Sequence, residues 1–181
     1  MNRPHLYILT GGPGGGKTTV LKELARRGLL TVPEIARQII QEQVQADGTA
    51  LPWADRELYA RLMLERSIQS FEEQHPDELA FCDRGIPDTL CYLRLIRSDD
   101  REAAAASATY RYASRVFFAP PWETIYIKDS ERKQDFSEAL RTAELMAAIY
   151  RECGYRVIEL PLASPAERAD FILQCVNSEP A

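Results

Sequence analysis

Residues Leu6–Thr19 read LYILTGGPGGGKTT, and the rest of the chain is read outward from this stretch. Gly11, Gly16, Lys17 and Thr18 fit the phosphate-binding loop pattern G-x-x-x-x-G-K-[ST]. The apolar run His5–Thr10 precedes the loop as a buried strand does. Val20, Leu21, Leu24 and Ala25 follow it at helical spacing as far as Gly28, a C-terminal stop. With Gly at positions Gly11, Gly12, Gly14, Gly15 and Gly16, backbone N–H groups can wrap a polyphosphate without Cβ obstruction. In that arrangement Lys17 neutralises the β- and γ-phosphates, the Thr18 hydroxyl holds Mg²⁺, and Thr19 completes the nucleotide-contacting set. A flexible Gly-rich turn would need neither the strand before nor the helix after.

The 181 residues fit one domain, so residues 1–181 are expected to form a single unit. A net charge of −5 argues against a general nucleic-acid-binding surface, and no nucleic-acid partner is expected. Cys82, Cys91, Cys153 and Cys175 are scattered without a C-x-x-C pair and read as buried thiols of a reducing compartment. No uninterrupted apolar stretch is long enough to cross a bilayer, which leads to the expectation of a soluble cytoplasmic protein without a membrane partner. The oligomeric state is left open.

Strand-like and helix-like segments alternate. Leu29–Val32, Leu79–Cys82, Arg115–Ala119 and Arg156–Leu160 are short apolar runs. Helical patterns lie between them, over Ile35–Val44, over Asp55–Gln74, from Pro87 to Ile96, after Asp99-Asp100, and from Asp135 to Gly154, where Asp135 and Glu138 form a capping box. Ser164-Pro165-Ala166-Glu167 is a helix start with cap, proline and capping acid in place. Five short buried strands interleaved with helices predict an α/β fold, a parallel sheet covered on both faces in three layers.

In such a sheet the ligand lies beyond the carboxyl ends of the strands, so polar residues just after a strand become site candidates. Glu34 follows the second strand, as a site acid or merely as a partner of the helix dipole, and Arg37 stands one turn on. Asp83-Arg84 follows the third, where a carboxylate near Mg²⁺ and a guanidinium that grips phosphoryl oxygens are needed. Between Pro120-Pro121 and Asp135 a long connection carries Lys128, Arg132 and Lys133, a candidate lid over phosphates at about residues 122–135.

GGPGGGKTT, VPEIAR, CDRGIPDTL, PPWETIYIKDSERKQDF and PLASPAERADFIL together resemble a family of predicted AAA-type ATPases. That family is grouped with the nicotinamide riboside kinase domain of bacterial NAD regulators and, more widely, with nucleoside and nucleotide monophosphate kinases. The resemblance covers nearly the whole chain. It implies a nucleotide-kinase-like P-loop NTPase domain with a five-stranded parallel sheet, ATP on the Gly11–Thr19 loop and a lid around Lys128–Gln134. It also implies that Glu34 is the base on an acceptor hydroxyl and that Asp83 and Arg84 serve Mg²⁺ and phosphate. The chain departs from those kinases in its third-strand motif, Asp83-Arg84-Gly85, and in having no recognisable nucleoside-specificity motif. It departs from AAA+ motors in length and in showing no clear second acid beside Asp83.

The leading expectation is a Mg²⁺-ATP-dependent phosphotransferase acting on a small nucleoside-like or other hydroxyl- or phosphate-bearing acceptor, with Lys17, Glu34 or Asp83, Arg84, and lid Arg132 or Lys133 as its working groups. The second is an NTP-dependent switch that presents a surface built on Tyr92, Tyr110, Tyr112 and the alanine-rich helix to a protein partner.

Overall fold

The computed structural model describes residues 1–12, 14–125 and 136–178. Five strands, β1 (Leu6–Thr10), β2 (Leu30–Val32), β3 (Ala80–Asp83), β4 (Arg115–Phe118) and β5 (Arg156–Glu159), pair in parallel in the order β2-β3-β1-β4-β5. Seven helices are described: α1 (Lys17–Arg26), α2 (Ile35–Gln45), α3 (Arg56–Glu73), α4 (Ile86–Leu95), α5 (Arg101–Thr109), α6 (Phe136–Glu152) and α7 (Pro165–Asn177). A single 3₁₀ turn covers Glu123–Ile125.

Alternation along the central strand builds the three layers. Successive side chains of a strand point to opposite faces, and β1 is buried along its whole length. Leu6 and Ile8 enter a core with Phe71, Leu90, Met146 and Tyr150, roofed by α3, α4, α5 and α6. Tyr7 and Leu9 enter the opposite core with Leu24, Phe81, Phe117 and Ile172, under α1 and α7. Ile39, Tyr59 and Met63 form a smaller cluster that pins α2 to α3.

Local capping chemistry sets the helix ends. Asp55 caps α3 by accepting the Leu58 N–H at 2.9 Å. Ser164 and Glu167 close a reciprocal box at the start of α7, with Pro165 as its first residue. Asp135, the expected cap of α6, lies outside the described residues.

Two expectations change. The strands are not all buried: β2 and β5 are the sheet's edges, and Leu30, Arg156 and Glu159 are exposed there. Of the three tyrosines expected at a partner surface, Tyr112 is buried and Tyr92 and Tyr110 are half-buried. Tyr112 is buried edge-on against Phe71 at 4.9 Å, Tyr110 meets the same ring, and Tyr92 packs edge-on against Tyr59 at 5.3 Å. Cys82 and Cys91 are buried and all four cysteines are free thiols. No helix among the described residues is long and apolar enough to cross a membrane.

Candidate active site

The loop after β1 wraps over the start of α1. A Cβ on Gly11 would lie 2.1 Å from the Ala119 carbonyl oxygen, and Gly11 has φ 138°, so only glycine passes between the ends of β1 and β4. Gly12, Gly14 and Gly15 are buried in the loop, and Gly16, at φ 74°, hands the chain to α1. Lys17 is buried and donates from Nζ to the carbonyl oxygens of Gly11 at 2.8 Å and Gly12 at 3.1 Å. Burial, helped by the Arg84 charge and opposed by Asp83, Glu34 and Asp88, pushes the Lys17 ammonium down to about 8. Thr18 is exposed and lines one cleft with Glu34, Arg37 and Asp83. Thr19 donates its hydroxyl to the Gly16 carbonyl at 2.7 Å, which spends that group on the loop's own backbone.

The acids converge on one guanidinium. Glu34 sits in the N-cap position of α2 and accepts from Arg84 Nε at 2.7 Å, while Arg37 stands 3.9 Å from its other oxygen and is more than half exposed. Arg84 Nη1 donates to Asp88 at 3.0 Å and to the Gly11 carbonyl at 3.3 Å. Burial pushes the Glu34 carboxyl up, but the Arg84 charge and hydrogen bond, with Lys17, outweigh it and hold Glu34 below the usual range. Arg84 has φ 73°, a left-handed conformation that costs a non-glycine residue about 1–3 kcal/mol and is concentrated at functional sites.

Asp83, the last residue of β3, pairs in register with Leu9 of β1. Its Oδ1 is buried without a hydrogen-bond partner among the described residues, and burial pushes its carboxyl up against the pull of Lys17. A carboxylate and a threonine hydroxyl lining the same cleft are a hard oxygen donor set suited to Mg²⁺. A second, much smaller cavity is lined by Met63, Phe71, Tyr112, Asp83, Arg84 and Asp88.

The structure therefore brings Lys17, Thr18, Glu34, Asp83 and Arg84 to one end of the sheet. Lys128, Arg132 and Lys133 lie outside the described residues. Three participants were not read from the sequence. Asp88 is engaged with Arg84, and Tyr150 donates to it from α6. Arg168, buried on the inner face of α7, donates to the Gly15 carbonyl at 2.6 Å and to the Pro161 carbonyl at 2.8 Å, with the Trp122 ring 5.6 Å from its guanidinium. Its signal was an arginine one turn before Ile172 on the apolar face of α7.

Among curated proteins the chain is similar to guanylate kinase of Nitrosospira multiformis, 26% identical over 141 residues. That match covers 75% of this chain and 66% of the relative, so the chain spans just under two thirds of that protein's length. Among solved structures, NadR protein in complex with NR superposes with a TM-score of 0.68 at 18% identity, over 99% of this chain and 53% of that one. Shikimate kinase from Acinetobacter baumannii in complex with shikimate gives 0.58 at 18% identity, over 97% and 93%. At these identities the solved structures establish a shared P-loop kinase-like fold. The model of the AAA domain family matches residues 6–168, nearly the whole described chain, and the protein belongs to that family.

Proposed function

We propose that this protein is a Mg²⁺-ATP-dependent kinase that transfers a phosphoryl group to a small hydroxyl-bearing metabolite. The observation that carries this reading is the partnerless buried oxygen of Asp83 beside Lys17, Thr18 and the Glu34–Arg84 pair, all at the carboxyl ends of β1, β2 and β3. The kinases in the comparisons support phosphoryl transfer as the reaction class, and ATP is proposed as the donor.

In this reading the backbone N–H groups of Gly12, Gly14, Gly15, Gly16 and Lys17 cradle the phosphate chain, and Lys17 leaves the Gly11 and Gly12 carbonyls to neutralise it. Thr18 and Asp83 would hold Mg²⁺, which screens the charge of the phosphates when bound. Glu34, kept ionised by Arg84, orients the acceptor hydroxyl and takes its proton; a loose transition state removes that proton late, so a weakly basic carboxylate suffices. Arg84 presents to the transferring group the part of its fork that Glu34 and Asp88 leave open. Arg132 and Lys133 are proposed as lid cations, and residues 1–181 as a single functional unit.

The test is ADP formation with Mg²⁺-ATP across a library of metabolite alcohols and their phosphate esters. At least one acceptor is expected to raise turnover well above the basal rate. Basal turnover with every acceptor, together with a protein partner that changes nucleotide affinity, would replace the kinase with a switch.

A further inference from the structure

Behind Arg84 lies a buried carboxylate that the proposed chemistry does not use. Asp88 is 6% exposed. Its Oδ1 accepts from Thr10 Oγ1 at 2.7 Å and from Arg84 Nη1 at 3.0 Å; its Oδ2 accepts from the Gly85 N–H at 2.9 Å and from the Tyr150 hydroxyl. Four donors fill the lone-pair capacity of an ionised carboxylate, so Asp88 has none left for substrate or for a travelling proton. Thr10 and Tyr150 are both fully buried and carry hydroxyls in otherwise apolar surroundings. A buried hydroxyl is expensive unless it is hydrogen-bonded, and Asp88 accepts from both.

We infer that Asp88 and Tyr150 are positioning residues for Arg84, and through it tie α6, the helix that follows residues 126–135, to the phosphoryl site. The inference rests on the reading of Arg84 as the group that grips the transferring phosphoryl. Of the five N–H groups of Arg84, Nε is spent on Glu34 and Nη1 on Asp88 and Gly11. Among the described residues no acceptor faces Nη2, so this is the edge of the fork that remains to act. Glu34 holds one corner of a plane. Asp88 holds a second corner, and two anchored corners fix where the third points. Removing the Tyr150 hydroxyl leaves Oδ2 with the Gly85 N–H alone, lets the carboxylate swing, and frees the guanidinium to turn about its bond to Glu34. A displacement on the order of 1 Å in a positioning contact costs up to about 10²-fold in rate.

The test is a double-mutant cycle on the full chain, Tyr150→Phe with Arg84→Lys, read by ADP formation at saturating Mg²⁺-ATP and by the Nε–H nuclear magnetic resonance signal of Arg84. Tyr150→Phe is expected to slow turnover about tenfold with nucleotide affinity within about twofold of wild type, and to loosen the Arg84 signal. In the Arg84→Lys background it should slow turnover by less than about twofold, because the group it positions is already gone. Equal slowing in both backgrounds, or an Arg84 signal as rigid in Tyr150→Phe as in wild type, overturns the inference. Wild-type turnover in Arg84→Lys would instead overturn the role of Arg84 in the proposed function, and the resonance alone then decides the positioning claim. Should Tyr150→Phe fail to fold, Thr10→Val removes the donor to the other oxygen of Asp88 and takes its place in the same cycle.

Discussion

Raising the pH from about 7 to about 9 should weaken Mg²⁺-ATP binding about tenfold through Lys17 alone. In the free protein burial and the Arg84 charge set the Lys17 ammonium at about 8. A polyphosphate beside Nζ favours the ammonium, so in the complex Lys17 stays protonated well above that value. Free protein with a neutral lysine must then take up a proton to bind. At about pH 7 roughly nine tenths of the free protein is already charged at this site, and at about pH 9 roughly one tenth is, a difference of about 1.4 kcal/mol in binding. The last proton of a phosphate group is lost at about pH 6, outside the window. Titration calorimetry in two buffers of different ionisation heat measures both the affinity and the proton count. Close to one proton should be taken up per nucleotide at about pH 9 and close to none at about pH 7. Lys17→Ala should bind weakly with no such slope. Equal affinity at both ends of the window, with no proton uptake, would refute the account of Lys17 as the buried cation that meets the phosphates. The free protein should respond with the opposite sign. Unfolded lysine holds its proton up to 10.5 and folded Lys17 only to about 8, so between these values the unfolded state binds more protons and this group's contribution to stability rises with pH.

The two carboxylates should fail differently. Glu34→Gln should lower turnover by roughly 10²- to 10⁴-fold with Mg²⁺-ATP affinity kept, whereas Asp83→Asn should raise the Mg²⁺ concentration that half-saturates turnover; a silent Glu34→Gln would return Glu34 to the role of a helix-dipole partner. Gly11→Ala places a Cβ 2.1 Å from the Ala119 carbonyl oxygen at φ 138°, and urea unfolding should register a loss of about 2 kcal/mol or more. An Ala variant as stable as wild type would mean that β1 and β4 can part at that end without cost.

Much of the fold was legible because each physical signal had one strong source. The strands of a parallel sheet covered on both faces are short apolar runs, and Leu6–Thr10, Ala80–Asp83 and Arg115–Phe118 have that character. Leu30–Val32 and Arg156–Glu159 have it more weakly, and they prove to be the edges. Strand order itself had no sequence signal: nothing in the spacing says that β3, rather than β2, lies beside β1. In the site, the positions of Lys17, Glu34, Asp83 and Arg84 were legible because each lies at or just beyond the carboxyl end of a strand or of the loop that follows it. Asp88 falls in the helical pattern that starts at Pro87 and Tyr150 in the one that ends at Gly154, and nothing more was legible there, because the local patterns of a cap and of a core are identical whether or not the group also holds a functional arginine.

The spacing of Asp83-Arg84-Gly85 to Asp88 follows from how little room the chain has at the end of β3. The Arg84 N–H still donates to the Leu9 carbonyl at 3.0 Å, so the backbone stays against β1 for one residue beyond the strand. It must then turn at once, because α4 begins at Ile86. The left-handed conformation of Arg84 makes that turn and swings its side chain across the strand ends towards Glu34. A Cβ on the next residue would fall 2.5 Å from Ile8 Cδ1 and 3.3 Å from the Tyr112 ring, so any side chain following the arginine must displace the end of Ile8. Asp88, three residues further, accepts the Gly85 N–H as a helix-capping acid does, and its other oxygen reaches Arg84. The strain of about 1–3 kcal/mol at Arg84 is opposed by two ion pairs to largely buried carboxylates. Those same pairs aim the guanidinium, so the contacts that stabilise the turn and the contacts that position the site are one set. A substitution at Asp88 therefore acts on Arg84 before it acts on the sheet, whereas one at Gly85 presses first on Ile8 of β1.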